Sequence, residues 1–246
     1  MEKDIIVKAL ELWKNRTGNN TFQLKAALID MDGTLYDSMR NHTASWYRLM
    51  TEQGIECTLD EFYLYEGMTG ASTITQLWQR QWHKDPSPEL ITELYHRKTV
   101  YFNELPRARV MDGAVEMTQA LTQAGVKTVL VTGSGQPSVL ERLDKDFPEV
   151  FPPHHRVTAR NVTKGKPHPE PYLTGMQLAD VKPWESIAIE NAPIGVQSAV
   201  ASGAFTIAVT TGPIPRQELE KAGAHLVLDS MPQLAGLMPE IINELI

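Results

Sequence analysis

The chain contains little cysteine: its 246 residues include only Cys57. A single thiol excludes an internal disulfide and is typical of a reducing compartment, so we expect a cytoplasmic protein. Long hydrophobic runs are also missing, and charged side chains interrupt the apolar positions of the first 21 residues. Neither a membrane span nor a signal-peptide core is therefore predicted. The chain shows no internal repeat or low-complexity segment.

Positive charge is in deficit as well. The chain has 23 Lys and Arg against 30 Asp and Glu, for a net charge of −7. This balance argues against nucleic acid or an anionic membrane as a partner. It also means that a phosphate site in this chain has to be locally positive. The length is sufficient for one large domain, or for one domain with a smaller one inserted into it.

The strongest signal in the sequence is an apolar run over residues 26–29, followed by Asp30, Asp32 and Gly33. The run predicts a strand buried on both faces, as in a parallel sheet. Asp30 and Asp32 would then lie at the carboxyl end of a strand, where open α/β sheets bind their ligands. Two carboxylates this close need a bound cation or a shared proton, which suits phosphoryl transfer. A surface Asp-Gly turn is the alternative interpretation.

The chain around this strand divides into two parts. Residues 38–105 carry Trp, Tyr, Met and Leu at spacings of three and four, which predicts a helical insert that returns through residues 105–110. After residue 111, strands alternate with helices, which predicts a parallel, doubly wound sheet. The predicted strands cover residues 126–131, 156–159, 186–189, 205–209 and 226–228, and the predicted helices cover about 113–124 and 194–202, with others near Pro137 and Pro169.

The first segment of the chain predicts one more helix. Ile6, Leu10 and Trp13 share a helical face within residues 4–14. We expect this helix to pack on the main domain, and a helix that binds a partner is the alternative.

Polar residues also follow the later strands. Thr132, with residues Gly133, Ser134 and Gly135, offers a hydroxyl and free backbone N–H groups before a helix, which suits a phosphate. Lys164 and Lys166 both precede Pro167, and one of these lysines could neutralise a phosphate oxygen and the attacking carboxylate together. Their structural alternatives are a plain loop and a solvated lysine.

Glu190 and Asn191 end another apolar strand and offer oxygen ligands to a hard cation such as Mg²⁺. A helix cap by Asn191 is the alternative. Because the ends of parallel strands meet at one edge of a sheet, these groups and the two aspartates are predicted to form one site.

The set Asp30-x-Asp32-Gly-Thr, Thr132, Lys166-Pro and Glu190-Asn191 resembles the motifs of the haloacid dehalogenase (HAD) superfamily of phosphotransferases, over about residues 24–232. The resemblance implies an α/β fold, with a doubly wound parallel Rossmann-like core and a small inserted α-helical cap domain. The expected boundaries are an N-terminal helical extension at 1–23, a core at 24–37 and 111–246, and a cap at 38–110.

The same resemblance implies a role for each motif residue. Asp30 would be the nucleophile that becomes an aspartyl phosphate, and Asp32 the general acid and then the base. Thr132 and Lys166 would hold the phosphoryl oxygens. The implied ligands of Mg²⁺ are Asp30, the Asp32 carbonyl, Glu190 and Asn191. The family often has Asp at the position of Asn191, so we expect a somewhat weaker metal site here.

Within the superfamily the chain resembles the β-phosphoglucomutase branch. His42 matches a helix histidine near the site of that branch, and Lys98 matches a lysine of its cap. An ordinary exposed histidine and a solvated lysine are the alternatives.

The cap loop departs from the mutases. Gly70 stands where they carry an arginine that grips a distal phosphate, and the loop offers Glu66 instead. A carboxylate repels a phosphate unless a metal lies between them. This loop, with residues 131–136 and 189–196, resembles the bacterial HAD inorganic pyrophosphatases, which implies that Glu66 reaches the metal. A surface glutamate is the alternative.

These observations together predict a Mg²⁺-dependent phosphohydrolase that acts on a small phosphorylated substrate, with inorganic pyrophosphate as the first expectation. β-Phosphoglucomutase or a sugar-phosphate phosphatase is the alternative. A binding module without activity is a third interpretation, against which the presence of both Asp30 and Asp32 argues. We expect a monomer or a weak homodimer.

Overall fold

A six-stranded parallel sheet lies at the centre of the computed structural model, which describes residues 2–134 and 137–246. The strand order is β3-β2-β1-β4-β5-β6. The strands are β1 (Ala26–Ile29), β2 (Lys127–Val131), β3 (Arg156–Val157), β4 (Ser186–Glu190), β5 (Phe205–Val209) and β6 (Leu226–Leu228). The predicted parallel, doubly wound architecture is confirmed, and β3 is shorter than the predicted strand.

Helices flank the sheet and fill the insert. They are α1 (Glu2–Thr17), α2 (Met39–Glu52), α3 (Glu61–Leu64), α4 (Gly70–Trp82), α5 (Pro88–Glu104), α6 (Ala114–Gln123), α7 (Pro137–Asp146), α8 (Glu170–Ala179), α9 (Pro193–Ala201), α10 (Arg216–Lys221) and α11 (Met231–Leu245). The sequence pattern predicts neither α10 nor α11. Prolines and a glycine interrupt the pattern of α11, yet its apolar side chains are buried against the sheet. None of the described helices has the length and apolar character needed to cross a bilayer.

The core has two apolar layers, one on each face of the sheet. Along β1, Ala27 and Ile29 point to the layer beneath α1, α6 and α11, and Ala26 and Leu28 point to the layer beneath α8. All four residues are fully buried, as expected for a central parallel strand. Because both faces are covered, the carboxyl ends of the strands are left to form the site.

The N-terminal helix α1 belongs to the first of these layers. Ile6, Ala9 and Trp13 are buried, and Leu10 is partly buried beside them. The Trp13 indole Nε1 donates to the carbonyl of Gly203 at 2.9 Å, and the ring meets Phe22 edge-on. The expected packing of this helix on the main domain is therefore confirmed.

The insert is helical, as predicted, and has an apolar cluster of its own. This cluster joins α2, α3, α4 and α5 through residues such as Leu49, Phe62, Leu77 and Leu94. The outgoing and returning segments run side by side, since the Asp37 backbone N–H donates to the Arg109 carbonyl at 3.0 Å. We infer from this separate cluster that the cap domain covers about residues 38–110.

Candidate active site

Asp30 follows the last residue of β1 and is almost fully buried. The Lys166 ammonium donates to Asp30 Oδ1 and to Glu190 Oε1, each at 2.6 Å. Burial raises the pKa of Asp30 well above its usual value, although the charge of Lys166 opposes this shift. Burial alone would lower the pKa of Lys166, but the charges of Asp30 and Glu190 outweigh it and raise that pKa. Lys166 is thus a fixed positive charge beside the predicted nucleophile.

Glu190 ends β4, which pairs with β1, so the two acidic residues are brought together by the sheet itself. The Tyr172 hydroxyl donates to Glu190 Oε1 at 2.7 Å. The backbone N–H groups of Asn191 and Ala192 donate to Oε2 at 3.0 and 3.3 Å. Glu190 is therefore held rigidly, and both of its oxygens already accept hydrogen bonds.

Gly33 makes room for Asn191. Its φ of +84° is a conformation that favours glycine, and a Cβ there would lie 2.0 Å from Asn191 Nδ2. The turn after Asp32 can therefore approach Asn191 only without a side chain. This explains in physical terms why a glycine stands in the motif.

Asp32 connects the core to the cap. Its Oδ1 accepts from the Ser38 hydroxyl at 2.6 Å and from His42 Nε2 at 3.0 Å. His42 Nδ1 in turn accepts from the Lys98 ammonium at 2.6 Å, which leaves the ring proton on Nε2. Burial would raise the pKa of Asp32, but the charge and hydrogen bond of His42, with the hydrogen bond of Ser38, lower it to about 2.

Lys98 is 2% exposed although it lies on a cap helix. Burial lowers its pKa to about 8, against the opposing charges of Asp32 and Glu66. Burial and the Lys98 charge also lower the pKa of His42. His42 and Lys98 are therefore not an ordinary exposed histidine and a solvated lysine, because both residues lie within the cap–core interface.

A cavity of about 40 Å³ lies between the cap and the core. Glu66 and Lys98 line it from the cap side, and Asp30, Asp32 and Thr132 line it from the core. It is also lined by His42, Gly133 and Ser134. The structure thus brings the predicted catalytic and substrate-binding residues to one place, apart from Lys166, which reaches the site through Asp30.

The loop after β2 faces this cavity. The Ser134 backbone N–H donates to Thr132 Oγ1 at 3.0 Å. The Ser134 hydroxyl is buried and has no hydrogen-bond partner among the described residues, so it is available to a phosphoryl oxygen. The predicted contribution of Gly135 lies outside the described residues.

The cap loop rests directly on this loop of the core. A Cβ on Gly133 would lie 2.8 Å from the Gly67 carbonyl oxygen, so the backbones approach closely. Glu66 precedes Gly67 and is partly buried. Burial and the charges of Asp32 and Asp30 raise the pKa of Glu66 well above its usual value.

Two residues of the site were missed in the sequence analysis. Ser38 holds Asp32, and Tyr172 holds Glu190. A serine before a helix is typical of an N-cap, but the Ser38 hydroxyl bonds to Asp32 and makes no capping bond. Tyr172 lies in α8, six residues after Lys166, and no sequence signal marks a helical tyrosine there as a partner of Glu190.

The net negative charge around the cavity favours a bound cation. The carboxylates of Asp30, Asp32, Glu66 and Glu190 outnumber the ammonium groups of Lys98 and Lys166 by two. In the described part of the chain, no three His, Cys, Asp or Glu side chains form a metal-ligand set by themselves. Mg²⁺, however, takes only one or two carboxylates and keeps water and substrate phosphates as its other ligands. The residues present fit such a site.

Comparison with known proteins places these residues in a family. The sequence pattern of the haloacid dehalogenase-like hydrolases matches residues 27–209. Hexitol phosphatase A of Escherichia coli is 30% identical over 85% of this chain and 93% of its own length. The β-phosphoglucomutase of Bacillus subtilis is 26% identical over 90% of this chain and 95% of its own.

A solved structure from Bacteroides vulgatus, described as a "putative beta-phosphoglucomutase", is 40% identical. It covers 98% of this chain and 99% of its own, with a TM-score of 0.93. Support for the expected closeness to pyrophosphatases is weak: a Caldanaerobacter protein named "putative pyrophosphatase PpaX" is 23% identical over 88% of this chain and 95% of its own.

These similarities agree with the site geometry and with the helical cap above the sheet. The chain belongs to the haloacid dehalogenase-like hydrolases, in their β-phosphoglucomutase-like branch, and is a phosphohydrolase of that family.

Proposed function

We propose that this phosphohydrolase acts on inorganic pyrophosphate and requires Mg²⁺. The observation that carries the proposal is the position of Glu66, which lines the cavity opposite Asp30 and Asp32. A third carboxylate at this place disfavours a bare anionic substrate and favours one that carries a divalent cation.

The size of the cavity supports a small substrate. Its volume of about 40 Å³ is well below the 300–1000 Å³ that is common for organic ligands. A Cβ on Gly70 would lie 2.1 Å from Tyr95 Cδ2, so an arginine at this position would need Tyr95 to move. Together these features favour an inorganic anion over a sugar bisphosphate.

The chemistry follows from the proposed roles of the two aspartates. An Asp30 carboxylate oxygen attacks one phosphorus atom, and the bond from that phosphorus to the bridging oxygen breaks. The negative charge of the bound pyrophosphate would raise the pKa of Asp32 from its value of about 2, so that Asp32 can carry a proton and give it to the departing phosphate. A water molecule then attacks the aspartyl phosphate, Asp32 takes the proton from that water, and Asp30 is released. Lys166 and Thr132 would stabilise the negative charge on the transferred group.

Residues at the strand ends would hold the cation. We propose Asp30, the Asp32 carbonyl, Glu190 and Asn191 for the core side of the metal, and Glu66 for the cap side. When bound, Mg²⁺ offsets the charge of the phosphoryl oxygens and of the carboxylates around them.

The decisive experiment compares two substrates in Glu66→Ala and Glu66→Gln. With Mg²⁺ present, we expect both variants to lose pyrophosphate hydrolysis by about 10²-fold or more, and p-nitrophenyl phosphate hydrolysis by much less. Glu93→Ala removes an exposed glutamate of the same cap and serves as the control. Equal losses on both substrates would remove the basis for the proposed role of Glu66.

A sugar-phosphate phosphatase or β-phosphoglucomutase is the second candidate, and the names of the relatives favour it. Assays of phosphate release from hexose and hexitol phosphates, and of glucose 6-phosphate formation from β-glucose 1-phosphate, test this candidate directly. Higher kcat/KM on any of these substrates than on pyrophosphate would replace the first proposal. EDTA should abolish turnover under either proposal.

A further inference from the structure

A second and larger cavity lies at the hinge between cap and core. Its volume is about 450 Å³, within the range that is common for small-molecule sites. Phe102 of the cap and the return segment 105–108 form part of its wall, and Tyr36, Arg142 and Lys145 line it from the core. The walls therefore combine apolar side chains with cations.

Tyr36 provides an unused hydrogen-bond donor in this cavity. The residue is 3% exposed, and its hydroxyl has no hydrogen-bond partner among the described residues. Burial and the nearby carboxylate of Asp146 raise the pKa of Tyr36, so the hydroxyl keeps its proton. Asp146 itself pairs with Arg142 at 2.9 Å and makes no hydrogen bond with the Tyr36 hydroxyl. The Arg142 guanidinium lies over the ring, 4.4 Å from its centroid. A buried hydroxyl without a partner is costly, and an acceptor on a ligand would satisfy it.

The charges around the cavity favour an anion. Arg107 and Lys145 are exposed on its lining and form no ion pair within residues 2–134 and 137–246. Arg142 is already paired with Asp146 at 2.9 Å, so the remaining lining cations, Arg107 and Lys145, exceed the remaining lining carboxylate, Glu141, by one positive charge. The carboxylate of Asp32 is already engaged by Ser38 and His42.

We propose that this hinge cavity binds a small organic anion with a ring-sized apolar body and one phosphate or carboxylate group. Phe102 and Leu105 would contact the apolar body, and Arg107, Lys145 and the Tyr36 hydroxyl would contact the anionic group. This cavity shares Asp32 with the catalytic cavity, but no step of the proposed phosphoryl transfer uses the five residues that would contact the ligand.

Occupation of this site is linked to the position of the cap. The ligand contacts the cap, the return segment and the core at the same time, so it binds best when they have the arrangement seen here. Any ligand that prefers one arrangement shifts the protein toward it. The hinge ligand is therefore a regulator of cap closure.

Titration calorimetry with phenylphosphonate, which combines a ring with one anionic group, tests the proposal on the full chain with Mg²⁺. We expect saturable binding with a Kd on the order of 1 mM or tighter. Methylphosphonate lacks the ring and benzyl alcohol lacks the anion, so both should bind at least about tenfold more weakly.

Variants then assign the binding to the hinge. Tyr36→Phe removes only the hydroxyl and should weaken phenylphosphonate binding about threefold to tenfold without lowering the Tm. Arg107→Glu with Lys145→Glu should weaken it further. Lys8→Glu with Lys84→Glu makes the same change of net charge at exposed positions away from the cavity and should change nothing.

Three results would overturn the proposal. One is the absence of saturable binding up to about 10 mM. Another is that Tyr36→Phe and the Arg107→Glu, Lys145→Glu double variant bind phenylphosphonate as tightly as the wild type. The third is loss of binding in Thr132→Ala with retention in the hinge variants, which would assign phenylphosphonate to the phosphoryl site. Because the readout is binding and not turnover, failure of the pyrophosphatase proposal leaves this test valid.

Discussion

At the scale of single residues, a lysine of the cap positions Asp32, the predicted general acid and base of the core. Asp32 bonds to His42, and His42 bonds to Lys98 of the cap. The ammonium of Lys98 selects the tautomer of His42 that donates to Asp32. A residue of the cap thus positions a group of the core, and the contact depends on the arrangement of cap and core seen here.

Removal of this ammonium tests the connection. Lys98→Met keeps the length and apolar stem of the side chain but leaves His42 Nδ1 without its donor. We expect kcat for p-nitrophenyl phosphate to fall by about 10²-fold, since a positioned acid–base group contributes this much or more. Lys84→Met, at an exposed cap lysine, is the control. An unchanged kcat in Lys98→Met would contradict the role.

His225 should make stability depend on pH. Its Nδ1 accepts from the Thr206 N–H at 2.9 Å, while Nε2 is buried without a partner among the described residues. Burial, with the nearby charge of Arg16, lowers its pKa from 6.5 to about 4. Between these values the unfolded chain binds a proton that the folded chain does not. Stability therefore falls as the pH drops from about 6.5 to 4.

The expected slope from this histidine approaches about 1.4 kcal/mol per pH unit. Urea unfolding of the wild type and of His225→Asn at pH 7, 6 and 5 measures it, because asparagine can accept the same hydrogen bond but does not titrate. The variant should lose less stability on acidification than the wild type. Parallel curves for the two proteins would show that His225 is not responsible.

At the scale of elements, the fit of α6 against α11 depends on a glycine. Gly113 has a φ of +89°, and a Cβ there would lie 2.8 Å from the Met231 carbonyl oxygen and 2.7 Å from Pro232 N. Both obstacles are backbone atoms, which cannot move aside as a flexible side chain can. The start of α6 therefore meets the start of α11 only because this residue lacks a side chain.

Two glycines with similar positive φ angles distinguish the cost of an unfavourable backbone conformation from the cost of a steric clash. Gly113→Ala should lower the free energy of unfolding by about 3 kcal/mol or more, because it adds a clash to an unfavourable φ. Gly125 has a similar φ of +74° but nothing within 4 Å of its Cβ position. Gly125→Ala should therefore cost only about 1 kcal/mol. Equal losses in urea unfolding would mean that the contact with α11 is unimportant.

At the scale of the whole molecule, cap and core meet through charged groups. Glu66 and Lys98 of the cap lie beside the carboxylates of Asp30 and Asp32. Lys98 favours this contact, and Glu66 opposes it unless a cation lies between the carboxylates. The closed arrangement should therefore be more stable when Mg²⁺ is bound.

Hydrogen exchange can measure this dependence. With Mg²⁺ and phosphate, amides of residues 64–70 should exchange several-fold more slowly than with EDTA, whereas amides of β5 should not change. In Glu66→Gln the repulsion is absent, so the effect of Mg²⁺ should be smaller. Identical exchange with and without Mg²⁺ in the wild type would exclude a role of the cation in closure.

Much of the core could be predicted because its signals are local. The apolar run before Asp30 is typical of a strand buried on both faces. Where strands alternate with helices along the chain, each helix returns the chain to the same end of the sheet, so the strands pair in parallel. α11 escaped prediction because Pro232, Gly236 and Pro239 interrupt its pattern. Its many buried side chains outweigh the weak helix propensity of these residues.

The sequence by itself determined the parallel sheet, the helical character of the cap and the alignment of Asp30, Thr132, Lys166 and Glu190 at one edge. Burial periodicity encodes which face of an element is covered, and parallel strands all end on the same side. Only the tertiary structure decided that Glu66 and Lys98 reach that edge, that Ser38 and Tyr172 hold its carboxylates, and that a second cavity opens at the hinge. These features depend on how one packed body rests on another, and no local pattern of residues records that contact.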